Sequence, residues 1–382
     1  MKRISVLFIV LSLAAACIAP ATLAAGGDRT KTFTVGKGGT LEVTIRGGNI
    51  IIKPWDRDEV SVRIRDVDDG EDPGIRMTQS GTTVLIEDTD GSSDDFTLEV
   101  NLPSRFDVRL RSSSGDIDIN GPLTGKLKGM TGGGNIRLGN LGGAIDMRTS
   151  GGDITSGDIG GDLDFSTSGG DIHMGTVSGS AAVVTSGGDI TVANVGKKVR
   201  ASTSGGNIAI GDVGGEAVVS TSGGDITAGS VSGNASLTTA GGNVMLHGAT
   251  GTVRATSAGG DLQLENVTGT LEGSTAGGNI VAMLNPAKNG MSRLNTAGGD
   301  IRLFVPEGAK ATINARIHIG GWWRSQKDTY EIRSDFAMEK YEKDEESHEI
   351  RATILLNGGG EQVTLSAVSG SIEIRKQKGA TQ

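Results

Sequence analysis

The sequence predicts an all-β protein, a single-stranded parallel β-solenoid (β-helix) with 18-residue rungs and β-rich end caps. The main observation is a phrase, Gly-Gly-(Asp/Asn) followed by Ile, Val or Leu, that recurs every 18 residues. A period this strict indicates one structural unit stacked many times. We number the Asp or Asn of the phrase as column 0, which is occupied by Asn135, Asp153, Asp171, Asp189, Asn207, Asp225, Asn243, Asp261 and Asn279.

The second observation is an alternation of apolar and mixed residues within each copy. Columns 1 and 3 are apolar, as in Ile136 and Leu138, and columns 10 and 12 are apolar or small, as in Leu163 and Phe165. This period of two is typical of strands with one buried face. Because 18 residues are too few for a helical crossover, we expect each copy to form one coil. The Gly-Gly pair is expected at a tight corner with positive φ, where a Cβ would be costly.

Residues 1–25 resemble a secretory signal peptide, with Lys2 and Arg3 before a short apolar run and small residues around Ala25. The run is too short to span a membrane as a helix. Cys17, the single cysteine, follows three alanines as in a lipoprotein signal. Cleavage near Ala25 would give a soluble protein and lipidation of Cys17 a membrane-anchored one. Both predict export to the periplasm, outer envelope or cell surface.

The remaining chain divides into three predicted parts. Residues 26–112 form an N-terminal β-rich cap or degenerate rungs, residues 113–303 the regular solenoid, and residues 304–382 a C-terminal β cap with a charged aromatic insert. The last interval of the array is 21 residues long, and its extra residues fall around 285–291. Strand-like alternation outside the array is seen at 32–35, 41–45, 60–64, 96–100, 311–319 and 348–356, while 47–50 and 369–374 echo the repeat phrase.

Composition argues against several classes of function. The formal net charge is −9, and removal of residues 1–25, with two cations and no acid, would lower it by two, to −11. Nucleic acid is therefore not expected as a partner. The histidines (His173, His247, His318 and His348) have no metal-ligand or catalytic-triad spacing. We expect no catalytic residues, no metal and no cofactor, with a polysaccharide-active enzyme as a remote alternative.

Two polar columns have competing interpretations. The column-0 side chains form a structural ladder that caps backbone N–H groups, or they bind calcium between stacked carboxylates. The irregular exchange of Asp for Asn favours the ladder. Column 14, which is Thr in most copies, shares its parity with the apolar columns 10 and 12. It is therefore expected to point inward and bond along the stack, rather than to form an outward ice-binding row.

The charged C-terminal insert has a mixture of charges that is typical of a solvated helix or hairpin. A local cluster of aromatic residues lies within it. Aromatic side chains amid charge stack on sugars or anchor a protein partner. Alternatively, they form a lid over the apolar end of the solenoid. The residues of this possible ligand-binding cluster are Trp322, Trp323, Tyr330, Phe336 and Tyr341.

The order of these motifs resembles a known family. The phrase Gly-Asn-Ile-x-Ile and Trp-Asp-Arg-Asp-Glu-Val lie within 48–60, Leu-Pro-Ser at 102–104, then serial Ser-Gly-Gly-Asp-Ile phrases and a terminal Ser-Gly-x-Ile-x-Ile. This pattern resembles the bacterial β-strand-repeat "putative adhesin" family, a domain of unknown function, over about residues 40–375. The resemblance implies the repeat fold and the adhesin label.

Together these observations predict a non-enzymatic exported cell-envelope protein, an adhesin or binding scaffold that presents repeated side-chain columns. Its expected partners are an envelope glycan or a protein surface, with membrane contact only through a lipid on Cys17. The alternative is an architectural envelope component that self-associates through the solenoid ends.

Overall fold

The computed structural model describes residues 22–23, 29–36, 38–67, 73–89, 96–287, 290–319, 330–344 and 346–377. Within these ranges all regular secondary structure is β, in 36 strands that form two sheets. No helix able to cross a membrane occurs in this part of the chain. The structure is thus all-β, with two long and mostly parallel sheets, as expected for a β-solenoid.

The N-terminal part contains nine strands, of which β1, β2, β4, β5 and β8 belong to the first sheet and the others to the second. They are β1 (Thr22–Leu23), β2 (Arg29–Thr34), β3 (Thr40–Ile45), β4 (Asn49–Trp55), β5 (Glu59–Arg65), β6 (Ile75–Ser80), β7 (Thr83–Asp88), β8 (Thr97–Pro103) and β9 (Asp107–Ser112).

In the regular array, even-numbered strands lie in the first sheet and odd-numbered strands in the second. The strands are β10 (Ile117–Ile119), β11 (Leu127–Met130), β12 (Ile136–Leu138), β13 (Ile145–Arg148), β14 (Ile154–Ser156), β15 (Leu163–Ser166), β16 (Ile172–Met174), β17 (Ala181–Val184), β18 (Ile190–Val192), β19 (Val199–Ser202), β20 (Ile208–Ile210), β21 (Ala217–Ser220), β22 (Ile226–Val231), β23 (Ala235–Thr238), β24 (Val244–Ala249), β25 (Val253–Ser257), β26 (Leu262–Gly269), β27 (Leu271–Thr275), β28 (Ile280–Pro286), β29 (Met291–Thr296) and β30 (Ile301–Val305).

The C-terminal part contains six strands, of which β32 and β36 belong to the first sheet and the others to the second. They are β31 (Ala311–His318), β32 (Ile332–Ser334), β33 (Lys340–Asp344), β34 (Glu349–Leu356), β35 (Glu361–Val368) and β36 (Ile372–Lys376).

The register of the array aligns equivalent columns. In the first sheet Ile136 pairs with Ile154, and Ile154 with Ile172, both in parallel. In the second sheet Ile145 pairs with Leu163 in the same way. Between the sheets a third row of parallel bridges connects column 6, from Leu141 to Val231. These apolar columns point inward and are buried, so they form one continuous core along the array.

The expectation that the paired glycines at the corners have positive φ is wrong. None of the pairs that precede column 0 in the array has a positive φ. They are required for a different reason, which is the close approach of successive rungs. A Cβ added to Gly152 would lie 2.2 Å from the carbonyl oxygen of Gly134, and one added to Gly188 would lie 2.2 Å from that of Gly170. The second glycine of each pair therefore has no room for a side chain.

At each end of the solenoid, one rung is stacked between two others out of chain order. Near the N-terminus the β3–β4 rung lies between the β7–β8 and β9–β10 rungs. Near the C-terminus the β35–β36 rung lies between the β29–β30 and β31–β32 rungs. The first and last rungs in chain order are thus held by neighbours on both sides. At the N-terminal end the antiparallel strands β5, β2 and β1 extend the first sheet and β6 extends the second. At the C-terminal end the antiparallel strands β34 and β33 extend the second sheet.

The four strand-like stretches of the N-terminal part coincide with β2, β3, β5 and β8. The echo of the repeat phrase at 47–50 leads into β4, where Ile50 pairs with Ile117, so it begins a rung of the solenoid. Strands β6 and β7 were not expected from the sequence. In the charged insert, the described residues form β32 and the β33–β34 hairpin rather than a helix.

Candidate functional site

The column-0 side chains hydrogen-bond to the backbone of the next rung. The Oδ1 of Asn135 accepts a hydrogen bond from the Asp153 N–H at 2.8 Å, and the Oδ1 of Asp153 accepts one from the Asp171 N–H at 2.9 Å. The same bond recurs at every step to Asn279, which accepts from the Asp300 N–H. Amide and carboxylate oxygens serve equally as acceptors, which explains the irregular exchange of Asn and Asp.

Two further capping columns were missed in the sequence. At column 5, the Asn140 side chain accepts from the Asp158 N–H at 2.8 Å, and Asp158 accepts from the Thr176 N–H at 2.8 Å. At column 9, Asp162 accepts from the Ser180 N–H at 2.8 Å. The available signal was an excess of Asp and Asn at column 5, directly before the apolar column 6, whereas column 9 is mixed and offered no such signal. Asp and Asn caps thus occur at all three corners of a rung.

The threonines of column 14 are buried and also connect rungs. The Thr239 hydroxyl donates to the Gly224 carbonyl at 2.9 Å and accepts from the Gly242 N–H at 3.2 Å. Buried members of the column are Thr149, Thr167, Thr185, Thr203, Thr221, Thr239, Ser257 and Thr275. Their inward orientation is incompatible with an outward ice-binding row. In the described part of the chain, no group of three or more His, Cys, Asp or Glu side chains is arranged to hold a metal ion.

The aromatic cluster is only partly described. Trp322 and Trp323 lie outside the described residues. Tyr330 and Phe336 are half-buried against the core, and Lys376 Nζ lies 5.7 Å from the centre of the Phe336 ring. Tyr341 lies apart on β33 and is 48 % exposed. Tyr330 and Phe336 therefore cover the end of the core, whereas Tyr341 faces solvent.

On the outer face of the second sheet, the described residues line three grooves. One, about 360 Å³, crosses β25, β27 and β29. The other two adjoin each other: the larger, about 500 Å³, crosses β11 to β19, and the smaller, about 350 Å³, crosses β3, β9, β11 and β13. Both are lined by Lys128 and Asp146, so they form one continuous depression, which we call the basic groove. Its cations are Arg109, Arg111, Lys126, Lys128, Arg148, Lys198 and Arg200, and its acids are Glu42, Asp146, Asp162 and Asp164.

Some of these charges neutralise one another. Lys128 Nζ lies 2.9 Å from Asp146, and the Arg148 guanidinium lies 3.3 Å from the same carboxylate. Lys198 pairs with Glu216, and its hydrogen bond lowers the pKa of that carboxyl. Three exposed groove cations, Arg111, Lys126 and Arg200, form no ion pair with any described residue. These three remain available to an anionic ligand.

Comparison with known proteins identifies one family and several solved structures. The model of the Toastrack DUF4097 domain matches residues 27–213 and 162–375. A "putative adhesin" from Parabacteroides merdae is 13% identical, with a TM-score of 0.33 over 64% of this chain and 95% of its own. A "putative cell adhesion protein" from Clostridium sporogenes is 9% identical, with a TM-score of 0.17 over 92% of this chain and 99% of its own. A "putative lipid binding protein" from Parabacteroides distasonis is 12% identical, with a TM-score of 0.22 over 93% of this chain and 98% of its own. No curated protein matches.

Proposed function

The chain belongs to the Toastrack DUF4097 family, and from this premise we propose that it is a non-enzymatic adhesin or binding scaffold, exported to the cell envelope. In this proposal the scaffold is a β-solenoid of 18-residue rungs. The pairing of Ile136 with Ile154, and of each later column-1 residue with the residue 18 positions on as far as Ile280, supports that rung length.

The proposed binding role rests on one observation, which is the presence of unpaired cations in the basic groove. The repeated Asp, Asn and Thr columns are engaged in hydrogen bonds between rungs, which makes them part of the scaffold. The basic groove, in contrast, lies on the outer face of the second sheet and retains unpaired cations. A rigid sheet fixes the spacing of the backbone positions that carry these side chains, so binding requires no ordering of the backbone. We therefore place the contact surface on this face of the solenoid.

The C-terminal aromatic cluster has a smaller role in this proposal. Tyr330 and Phe336 already pack against the core, as a cap would. The two tryptophans are expected to belong to the same cap, and their replacement should affect the stability of the end of the solenoid more than binding.

The proposal is tested by co-sedimentation of the purified protein with isolated cell walls and with envelope membranes, with and without calcium. We expect saturable binding to cell walls that does not need calcium. A Trp322→Ala/Trp323→Ala variant should bind with unchanged affinity after correction for its folded fraction. Absence of binding to both materials would refute the adhesin role, and strict dependence on calcium would favour the column-0 carboxylates as the site.

A further inference from the structure

The charge of the basic groove is opposite in sign to that of the protein. The whole chain has 36 Lys and Arg against 45 Asp and Glu, whereas cations outnumber acids along the groove. A local excess of one sign in a depression concentrates ions of the other sign there. The groove is thus suited to an anionic ligand even though the protein as a whole repels anions.

The groove is shaped as a track rather than as a compact pocket. It crosses seven neighbouring strands, β3 and then β9 to β19, which at about 4.8 Å per interval is a length of roughly 29 Å. Its middle part is lined by the small residues Ala144, Ser180 and Ala182 together with the acids Asp146, Asp162 and Asp164. An extended polymer can lie along such a surface and contact several rungs at once.

The unpaired cations are placed towards the two ends of this track. Arg111 on β9 and Lys126 before β11 lie near one end, one and two strands from β3, and Arg200 lies on β19 at the other end, four strands from β11, or roughly 19 Å. A planar guanidinium binds a carboxylate with two parallel hydrogen bonds. The ligand must therefore bring separated anionic groups to both ends of the groove.

The acids in the middle of the groove restrict the ligand further. Asp162, for which no ion pair with a described residue is found, and Asp164, whose ion pair with Arg148 is as long as 3.9 Å, would repel a densely charged polymer or a uniformly anionic membrane surface. A sugar polymer with spaced carboxylates can instead place neutral ring atoms over them. Addition of a peptide as a further strand is also excluded here, because the strands below are already paired on both sides.

We propose that the basic groove binds a linear acidic polysaccharide, with carboxylates spaced along a chain of otherwise neutral sugar atoms. This proposal rests on the binding role proposed above and names the class of ligand for that same surface.

The test measures binding of the full protein to polygalacturonate, to its fully methyl-esterified form and to inorganic polyphosphate. We expect saturable binding to polygalacturonate that weakens as salt is added, and at least tenfold weaker binding to the neutral ester. Equal binding to the ester would overturn the role of the carboxylates. Tighter binding to polyphosphate than to polygalacturonate would assign the groove to phosphate and overturn the proposal.

Two variants with the same change in charge locate the site. Arg111→Gln/Lys126→Gln/Arg200→Gln removes the unpaired groove cations, whereas Arg76→Gln/Arg293→Gln/Lys310→Gln removes three exposed cations elsewhere. We expect the first to weaken polygalacturonate binding at least tenfold and the second less than twofold. Equal effects of the two variants, or none from the first, would contradict the proposal.

Failure of this proposal can be separated from failure of the binding role. A protein that sediments with cell walls but does not bind polygalacturonate through the groove overturns the ligand class and leaves the adhesin role intact. A protein that binds neither material refutes both.

Discussion

At the scale of single residues, the most unusual side chain outside the groove is Glu361, at the start of β35. It is fully buried, and the Ser292 hydroxyl donates a hydrogen bond to its Oε1. Gly290 makes room for it, since a Cβ there would lie 2.9 Å from the Glu361 carboxyl carbon. Burial raises the pKa of Glu361, and the hydrogen bond from Ser292 opposes that shift only in part. The long 21-residue interval thus accommodates a buried carboxyl group.

We predict that Glu361 makes stability depend on pH. Because its folded-state pKa is raised, its contribution to stability is fully present below the unfolded pKa of about 4.3 and is lost as pH rises through the folded pKa. Glu361→Gln removes this loss. Urea unfolding between pH 4 and 7 should show the wild-type free energy of unfolding falling relative to that of the variant. Parallel pH profiles for the two proteins would contradict the prediction.

The threonine column allows a matched comparison of neighbouring residues. Thr239→Val removes the buried hydroxyl and leaves the Gly224 carbonyl and Gly242 N–H without that partner, at an expected cost of about 1–3 kcal/mol. Thr238→Val changes an exposed side chain and should alter stability by less than about 0.5 kcal/mol. Equal costs in denaturant unfolding would show that the buried hydroxyls do not hold the rungs together.

At the scale of the elements, the paired glycines set how closely one rung approaches the next. Gly151 and Gly152 provide the test, because an added Cβ would be 3.5 Å from its nearest neighbour at the first and 2.2 Å at the second. We expect Gly152→Ala to cost about 3 kcal/mol or more and Gly151→Ala less than about 1 kcal/mol. Thermal or denaturant unfolding would measure both, and similar costs would argue against the close approach as the reason for the pair.

The elements also show which features the sequence could predict. The alternation at columns 1 to 3 and 10 to 14 defines a buried face on its own, so the strands of the array were predictable. Strands β6 and β7 lack the 18-residue period, and much of β6 is exposed, so β6 resembles a loop in sequence. Strand β7 has a local strand signal, with Val84 and Ile86 buried in alternation, which was missed in the sequence. The distance between Gly152 and the preceding rung is a tertiary property, which explains why positive φ was the wrong reason for the glycine pair.

The basic groove could not be predicted for a related reason. Its cations come from columns 9, 11 and 13 of different rungs, as in Lys126, Lys128 and Arg200, and they do not recur with the period. Their proximity follows only from the parallel register of β9 to β19. The aromatic cluster, in contrast, was visible as a local run of residues, although its described members largely pack against the end of the core.

At the scale of the whole molecule, the C-terminal edge of the second sheet is protected against further strand pairing. Strand β33 pairs only with β34 among the described strands, and all five of its residues are exposed, four of them charged. Charged edge strands discourage association through exposed backbone groups. This observation weighs against the architectural alternative, in which copies join end to end.

We therefore predict a monomer in solution. Lys340→Thr/Glu342→Thr, which removes a charged pair from this edge, should increase association in sedimentation velocity experiments. Arg254→Thr/Glu272→Thr removes an ion pair from the middle of the second sheet and should leave the protein monomeric. Stable oligomers of the wild-type protein that dissociate when the ends are altered would support the architectural role instead.

The central claim is that the protein binds its target through the basic groove. The most direct test is lysine acetylation with and without saturating cell-wall material, followed by measurement of the modification rate at each lysine. We predict that Lys126 and Lys128 become protected on binding, whereas Lys310, exposed outside the groove, reacts at an unchanged rate. Unchanged reactivity of Lys126 and Lys128 in fully bound protein would contradict the claim.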